Sequence, residues 1–464
     1  ASGGGTPCHG NNLEQMKEAG IVVHVAAELA TALLRAQASG GGSVRPLLAQ
    51  STASIEELYR KRAPFYRRAA LSVSTEGKSP SMVADEIATA LASRSCLPED
   101  FATRATIVAL KERSYPVVVD RGCLTALGQA LRARFPAATR VGLVSDDNVM
   151  PLYGEALSES LVNAGFQVIS ATVAPGEASK EISVFAELCD ALIAGGLDRS
   201  SIVVALGGGV VGDLAGFAAA SLFRGIPVVQ VPTTLLAMTD SAIGGKTGIN
   251  SKHGKNLLGA FWQPSLVWVD PDTLTTLHVR ERRAAFGELV KYALLDEAIW
   301  PAVQDLAPLV CADELVSSEE LSDLVRACAG LKAAIVSEDE RETGLRATLN
   351  LGHTVGHAIE VHAGYGTLLH GEAVALGLLA SCRVSHQLGL CSADLQSRVE
   401  AVLSSAGLDT DLQPWLRPEV VAHIGVDKKR TGSKVRFITV SEPGDVGRQD
   451  IELVELRGLL LTRL

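Results

Sequence analysis

The sequence predicts an α/β protein: a mostly parallel sheet covered on both faces, then a helical half, with a smaller α/β segment in front. Two observations carry this. Between about 103 and 274, continuous apolar runs alternate with helical stretches, the pattern of buried parallel strands joined by crossover helices. After about 275 the strand signal fades and the apolar spacing turns to the helical period. A composition break at SRSCLPEDF, 93–101, marks where the pattern restarts.

Taken in order, IVVHVA (21–26) reads as a buried strand, ELATALLRA (28–36) as a helix and QASGGGS (37–43) as a loop. SIEELYRKRAPFYRRAA (54–70) is a helix containing Pro64, and LSVS (71–74) is a strand. SPSMVADEIATALAS (79–93) is a helix with Ser and Pro at its start, as caps require. A linker is expected at 96–102. TIVAL and PVVVD suggest a hairpin; VGLVS (141–145), FQVISATV (166–173), SIVVALG (201–207), PVVQVP (227–232) and SLVWVD (265–270) are the sheet strands. From ERRAAFGELVKYALL to the Cys382 region the chain is helical, and KVRFITV (434–440) is a late strand, suited to a ribbon edge.

The bulk properties bound the function. At 464 residues the chain holds more than one core. Its net charge of −10 argues against a nucleic-acid or anionic-membrane binder, since such partners need a basic surface. Eight cysteines without a CxxC pair read as reduced thiols in the cytoplasm. No apolar stretch reaches the ~20 residues of a membrane span. The chain starts ASGGGT, without Met or signal peptide, and reads as beginning inside a domain.

LGGGVVGDLAGF follows the strand SIVVA and places Gly207, Gly209 and Gly212 as GxGxxG at a strand–helix turn. Such a turn lets backbone N–H groups approach a pyrophosphate, although glycines there also serve plain strand–helix packing. The acidic residue expected ~20 positions later to hold a ribose is missing; the next strand offers only Gln230. Glu177 and Lys180 in PGEASK are the alternative partners.

Four of the ten histidines, His353, His357, His362 and His370, fall within 18 positions. Neutral imidazole suits zinc, and a catalytic site needs three protein ligands and an open position. His353 and His357 lie four apart, on one face of any helix they share. Carboxylate candidates are Glu288, Glu360 and Glu372; His362 reads as an ordinary surface imidazole. Lys246, Lys255, Asn256, Lys291, Lys332, Arg346, Asn350 and Arg224 punctuate apolar stretches, with Asp213 and Asp240 as counter-charges. Any one lysine is usually just solvated, but several stand beside glycines in short loops, which suggests a phosphate- and carboxylate-bearing substrate between cofactor and metal.

GGGVVGDLAGFAAASLFRGI, QVPTTLLAMTDSAIGGKTGIN, GKNLLGAFWQP, GELVKYALL, DERETGLRATLNLGHTVGHAIE and LLHGEAVALG resemble, in order across 103–464, successive motifs of the 3-dehydroquinate synthases. The resemblance implies a Rossmann-like NAD-binding domain at 103–274 and an all-helical metal- and substrate-binding domain at 275–464. It implies Zn2+ (or Co2+) on Glu288, His353 and His370, with His357 contacting substrate rather than metal. Implied NAD contacts are Glu177, Lys180, Gly209, Val210, Val211, Gly212, Asp213, Thr233, Thr234, Lys246, Lys255, Thr273, Leu274, Thr275 and Thr276. Implied substrate contacts are Arg224, Asp240, Lys246, Asn256, Lys291, Lys332, Arg346, Asn350, His357 and a lysine of VDKKR, Lys428 or Lys429. A homodimer is also implied.

The implied reaction converts 3-deoxy-D-arabino-heptulosonate 7-phosphate to 3-dehydroquinate and phosphate, by transient oxidation at C5, phosphate elimination, reduction and intramolecular aldol closure, with NAD recycled. Other sugar-phosphate cyclases and metal-dependent polyol dehydrogenases are the rival readings. Residues 1–95 resemble the C-terminal half of shikimate kinases, a partial P-loop-kinase segment, with GGGTP, Arg45 and Arg62 at the matching positions. The phosphate-cradling GxxxxGK[ST] loop is not in this chain, so no kinase activity is expected from it as given.

Overall fold

The computed structural model describes residues 4–38, 51–364, 366–424, 430–431 and 433–462. Arg45, Lys428 and Lys429 lie outside the described residues.

The strands are β1 Val23–Ala26, β2 Leu71–Ser74, β3 Thr106–Val108, β4 Tyr115–Val119, β5 Arg140–Asp146, β6 Gln167–Val173 and β7 Ile202–Gly207. They continue as β8 Val228–Pro232, β9 Lys246–Ser251, β10 Gly254–Phe261, β11 Leu266–Val269, β12 Arg430–Thr431, β13 Lys434–Glu442 and β14 Asp445–Glu452. Among the described residues, one nine-stranded sheet has the order β1-β2-β3-β4-β11-β8-β7-β5-β6. All its pairings are parallel except β3 with β4. The expected parallel core is therefore present, and β4, β7, β8 and β11 are buried along their whole length. The strand order reverses beside β5, which pairs with β6 on one side and β7 on the other. Crevices at the carboxyl ends of strands at such a reversal are where α/β sheets bind ligands.

The front segment does not stand apart. β2 pairs with β3 through Leu71 and Ile107, and Leu71, Val73, Val83 and Ala90 share one apolar cluster with Ile107 and Ala109. Helix α1 (Thr52–Arg67) lies next to the second half, where Arg60 pairs with Asp445 at 2.9 Å. The stretch 96–102, expected as a linker, contains the short helix Glu99–Ala102. Phe101 there packs edge-on against the buried Trp268 of the sheet at 4.7 Å.

The second half is mostly helical, which corrects the expectation that it is all helical: β13 and β14 form an antiparallel ribbon, with β12 on its edge. Val435, Phe437, Ile438 and Val440 of β13 are buried, so the ribbon is part of the core. A hairpin, β9–β10, also went unread.

The helices that matter for the site are α2 (Gly209–Ser221), α3 (Val279–Leu295), α4 (Glu319–Glu338), α5 (His353–Ala363) and α6 (His370–Gln387). Bare backbone brings three of them together. A Cβ on Gly371 of α6 would stand 1.8 Å from the carbonyl oxygen of Ala284, and one on Gly287 of α3 would stand 2.0 Å from that of Gly371. A Cβ on Gly377 would meet the Gly352 oxygen, just before α5, at 2.0 Å. Only glycine permits these approaches, which draw the start of α6 onto the middle of α3 and, about two turns later, α6 onto the start of α5.

This generates a contrast in stability. Gly371→Ala forces α3 and α6 apart and is expected to cost ~1–3 kcal/mol, the usual range for overpacking. Gly330 sits inside α4 with open space around its Cα; Gly330→Ala is expected to stabilise by ~0.4–1 kcal/mol through backbone entropy. Chemical denaturation of both variants checks the pair.

Candidate active site

The glycine turn lies where β7 meets α2, at the reversal. Gly208 takes the cap position of α2 in an extended conformation. Some of its glycines do serve packing: a Cβ on Gly212 would meet Gln230 Oε1 at 2.7 Å, and Gln230 Nε2 donates to the Gly212 carbonyl at 3.0 Å. Gln230, the residue standing where a ribose-binding carboxylate was sought, is thus tied to the turn itself. Thr233 donates its N–H to the Gly207 carbonyl at 3.0 Å, whereas its buried hydroxyl and that of Ser241 have no hydrogen-bond partner. Thr234 Oγ1 accepts from Ala237 N at 3.2 Å. Unpartnered hydroxyls beside a helix N-terminus suit the polar oxygens of a nucleotide.

The other expected cofactor residues divide into two groups. Lys180, 3% exposed, donates to Asp213 Oδ2 at 2.7 Å and to Asn256 Oδ1. Asn250 Nδ2 donates to Glu177 Oε1 at 2.8 Å, and Asn250 Oδ1 accepts from Asn256 N at 2.9 Å. Asn250, which the sequence reading missed, therefore links the 177–180 loop to the hairpin; its signal was its place at the end of QVPTTLLAMTDSAIGGKTGIN, six residues before Asn256. Burial raises the Asp213 carboxyl, against the pull of Lys180. Thr273 to Thr276 form a short helical turn after β11. There Leu274 is core and the Thr273 and Thr275 hydroxyls bond inside the turn, while the Tyr153 hydroxyl meets Thr276 Oγ1 at 2.7 Å.

Across the crevice, the expected metal residues converge. His353 Nε2 is 3.3 Å and His370 Nε2 3.2 Å from the same oxygen, Oε1 of Glu288. Each imidazole has its other nitrogen held: His353 Nδ1 by the Leu351 carbonyl at 3.1 Å, His370 Nδ1 by Glu360 at 3.3 Å. The edges turned towards Glu288 are thus set by partners behind them. His357 joins the group, since nitrogens of His353, His357 and His370 lie within 4.8 Å of one another. Glu372 is engaged elsewhere by a forked pair with Arg280 at 2.8 and 2.9 Å, and His362 is exposed, its ring beside that of His423.

Glu288 is 0% exposed, yet neither of its oxygens has an aligned hydrogen-bond donor. Lys291 Nζ approaches Oε2 at 2.5 Å and the imidazoles approach Oε1 as ion-pair contacts only. A buried, poorly satisfied carboxylate among two or three imidazole nitrogens fits a divalent cation of the zinc type. Burial opposes the charge on Glu288, but Lys291 and His353 hold its carboxyl well below the usual range. Burial lowers His353 to about 4. Burial also works against a charged His370, but the Glu288 and Glu360 carboxylates facing its two nitrogens outweigh it and raise the group to about 10.

A buried charge chain runs from this cluster towards the sheet. Lys291 also donates to Asp240 Oδ2 at 3.2 Å, and Lys332 donates to both Asp240 Oδ1 and the Asp240 carbonyl. Burial lowers Lys332 to about 8. Lys246, half exposed, pairs with Glu342, which also accepts from Asn350. Arg346 is 1% exposed and donates to the carbonyls of Gly244 and Glu340 at 2.9 and 2.5 Å, so it shapes the turn that presents Lys246. Arg224 is exposed at the end of α2 with φ +72°.

Fold and site define a class: a nucleotide-type glycine turn on a parallel sheet, facing a histidine–glutamate cluster on helices, with buried lysines between them. Models of 3-dehydroquinate synthase match at residues 170–284 (N-terminal part) and 285–430 (C-terminal part), and a shikimate kinase model matches at 1–92. A 3-dehydroquinate synthase of Caulobacter vibrioides is 44% identical over 369 residues, 77% of this chain and 98% of that protein. One of Pelobacter propionicus is 45% identical over 362 residues, 76% of this chain and 98% of that protein. Among solved structures, a 2-epi-5-epi-valiolone synthase from Streptomyces hygroscopicus, with NAD+ and Zn2+ bound, is 30% identical with a TM-score of 0.66, covering 76% and 97% of the two chains. The chain belongs to the 3-dehydroquinate synthase family.

The opposed shifts of the two imidazoles give a pH dependence for metal-free protein. His370 is raised from its ordinary value near 6.5 to about 10, so its contribution is full below pH ~6.5 and is lost as pH rises towards 10. His353 is lowered to about 4, so charging it opposes folding and stability falls as pH drops from ~6.5 through 4. In chelator, the unfolding midpoint should decline on both sides, and His370→Gln should remove the alkaline slope alone. Metal uptake at pH 8 should release about one proton, read by calorimetry in buffers of different ionisation enthalpy.

Proposed function

We infer that this chain converts 3-deoxy-D-arabino-heptulosonate 7-phosphate to 3-dehydroquinate and phosphate, with NAD at the Gly207–Asp213 turn and a divalent metal on Glu288, His353 and His370. The single observation that carries this is the common aim of His353 Nε2 and His370 Nε2 at the buried Glu288 Oε1, joined through Lys291 and Asp240 to the sheet side. The bound groups supply Lewis-acid polarisation of a substrate oxygen and a recyclable hydride acceptor.

The chain's own residues do the positioning. Lys291 and Lys332 hold positive charge in a water-poor crevice, where it acts more strongly on an anion than at the surface. Lys332, lowered to about 8, can change protonation near neutral pH. Lys246 and Arg224 are exposed cations, offered to the phosphate or carboxylate end of the substrate. Asn350 and Glu342 fix Lys246, and Arg346 fixes its turn. Asn256 and Lys180 bind together the cofactor loop and the hairpin. His357, beside the two metal imidazoles, is placed to contact substrate or to exchange a proton with it. The family reading also supports a homodimer in the cytoplasm, and no described helix is long and apolar enough to cross a membrane.

Release of inorganic phosphate from the heptulosonate phosphate should require both NAD and metal, with no net NADH. His353→Ala should lower turnover by on the order of a thousandfold, matching loss of several kcal/mol of metal stabilisation, and should reduce bound zinc in a protein that stays folded. Full turnover in metal-stripped protein, or steady accumulation of NADH with polyols, would overturn the reading.

A further inference from the structure

His353, His357 and Glu360 follow one another on α5 at four and three residues, so they form a stripe on one face of the helix. The first two reach the histidine cluster. The third is buried, 6% exposed, and lies behind it. One oxygen of Glu360 meets His370 Nδ1 at 3.3 Å, and the other meets Lys255 Nζ of β10 at 3.3 Å. Glu360 thus touches a metal-cluster imidazole of α6 and a lysine of the hairpin that faces the cofactor loop. The hairpin reaches that loop again through Asn256 and Lys180. Behind His353 Nδ1 stands a backbone carbonyl, whereas behind His370 Nδ1 stands a side-chain carboxylate.

We propose that Glu360 is a positioning residue: it fixes the His370 imidazole for the metal and, through Lys255, ties the β9–β10 hairpin to the metal centre. The proposal rests on the metal reading above. Outer-sphere carboxylates of this kind set imidazole tautomer and orientation, and their loss typically weakens metal binding ~10–100-fold. Because Lys255 and His370 share one carboxylate, breaking the hairpin contact should weaken metal binding only while Glu360 is present.

The test titrates Co2+ alone into metal-free protein and follows its visible absorption, with Zn2+ affinity measured against a chromophoric chelator. Wild type should bind both ions. Glu360→Ala should bind ~10–100-fold more weakly with an altered cobalt spectrum, and Glu360→Gln, which keeps an acceptor, should fall between. Lys255→Met should weaken binding severalfold in wild type and add nothing in Glu360→Ala. Circular dichroism and the unfolding midpoint establish folding; if Glu360→Ala does not fold, Glu360→Gln carries the measurement. Unchanged cobalt affinity and spectrum in a folded Glu360 variant would overturn the proposal while leaving the metal site standing, and additive effects of the two substitutions would remove the hairpin link. Failure of wild type to take up either ion would instead sink the metal reading itself, and this inference with it.

Discussion

Everything in this site follows from one constraint: a carboxylate held where α3 and α6 touch backbone to backbone. Glu288 follows Gly287, the glycine that lets α3 reach α6, and His370 precedes Gly371, which makes the reciprocal contact. The functional side chains sit next to the contact glycines in sequence, so close packing and convergence of ligands are the same event. An isolated ionised carboxylate in such a place costs many kcal/mol. Lys291, His353 and His370 offset that cost; Asp240 in turn pairs with Lys291, and Lys332 with Asp240. Removing one member leaves its neighbour buried and unpaired, so the chain from Glu288 to Lys332 acts as one electrostatic unit.

Much of this was legible in the sequence because the signals were local. Apolar runs gave β5, β7, β8 and β11, and the glycine spacing gave the β7–α2 turn. Histidine density pointed to the cluster that His353, His357 and His370 form, although spacing alone left the carboxylate open among Glu288, Glu360 and Glu372. Geometry separates these three: the first faces the imidazole edges, the second stands behind His370, and the third is taken by Arg280. What stayed hidden depends on non-local pairing. KTGINSKHGKNLLGAF carries glycines and charges that mask a hairpin whose outer strand is largely solvent-facing. Nothing local announces that β2 joins β3, because one parallel register pair suffices to seat it.

That junction places the front segment against a functional helix. Ser72 of β2 donates to Glu338, the last residue of α4, at 3.2 Å, and His24 of β1 meets the same Ser72 hydroxyl at 3.0 Å. α4 carries Lys332, and the loop leaving it supplies Asp339, Glu340 and Glu342, which hold Arg346 and Lys246. The contact therefore anchors the end of the helix from which the substrate-side polar network departs.

The charge of the chain, −10, is at first sight wrong for a site that takes an anion. The pairing pattern resolves this. Lys180 is matched by Asp213, Lys246 by Glu342, Lys291 by Glu288 and Asp240, and Lys332 by Asp240. Each cation is held in place by a carboxylate fixed to the fold, so the site is ordered before any ligand arrives, and little side-chain entropy remains to be lost on binding. An incoming phosphate or carboxylate then adds to, or exchanges with, these fixed partners instead of neutralising loose lysines. Discrimination follows from geometry: an anion gains only if its oxygens reach several of these nitrogens at once, which favours a ligand with two separated anionic groups over a simple ion. An acidic protein with buried, paired lysines can therefore be selective for a doubly anionic sugar where a basic surface would merely be attractive to one.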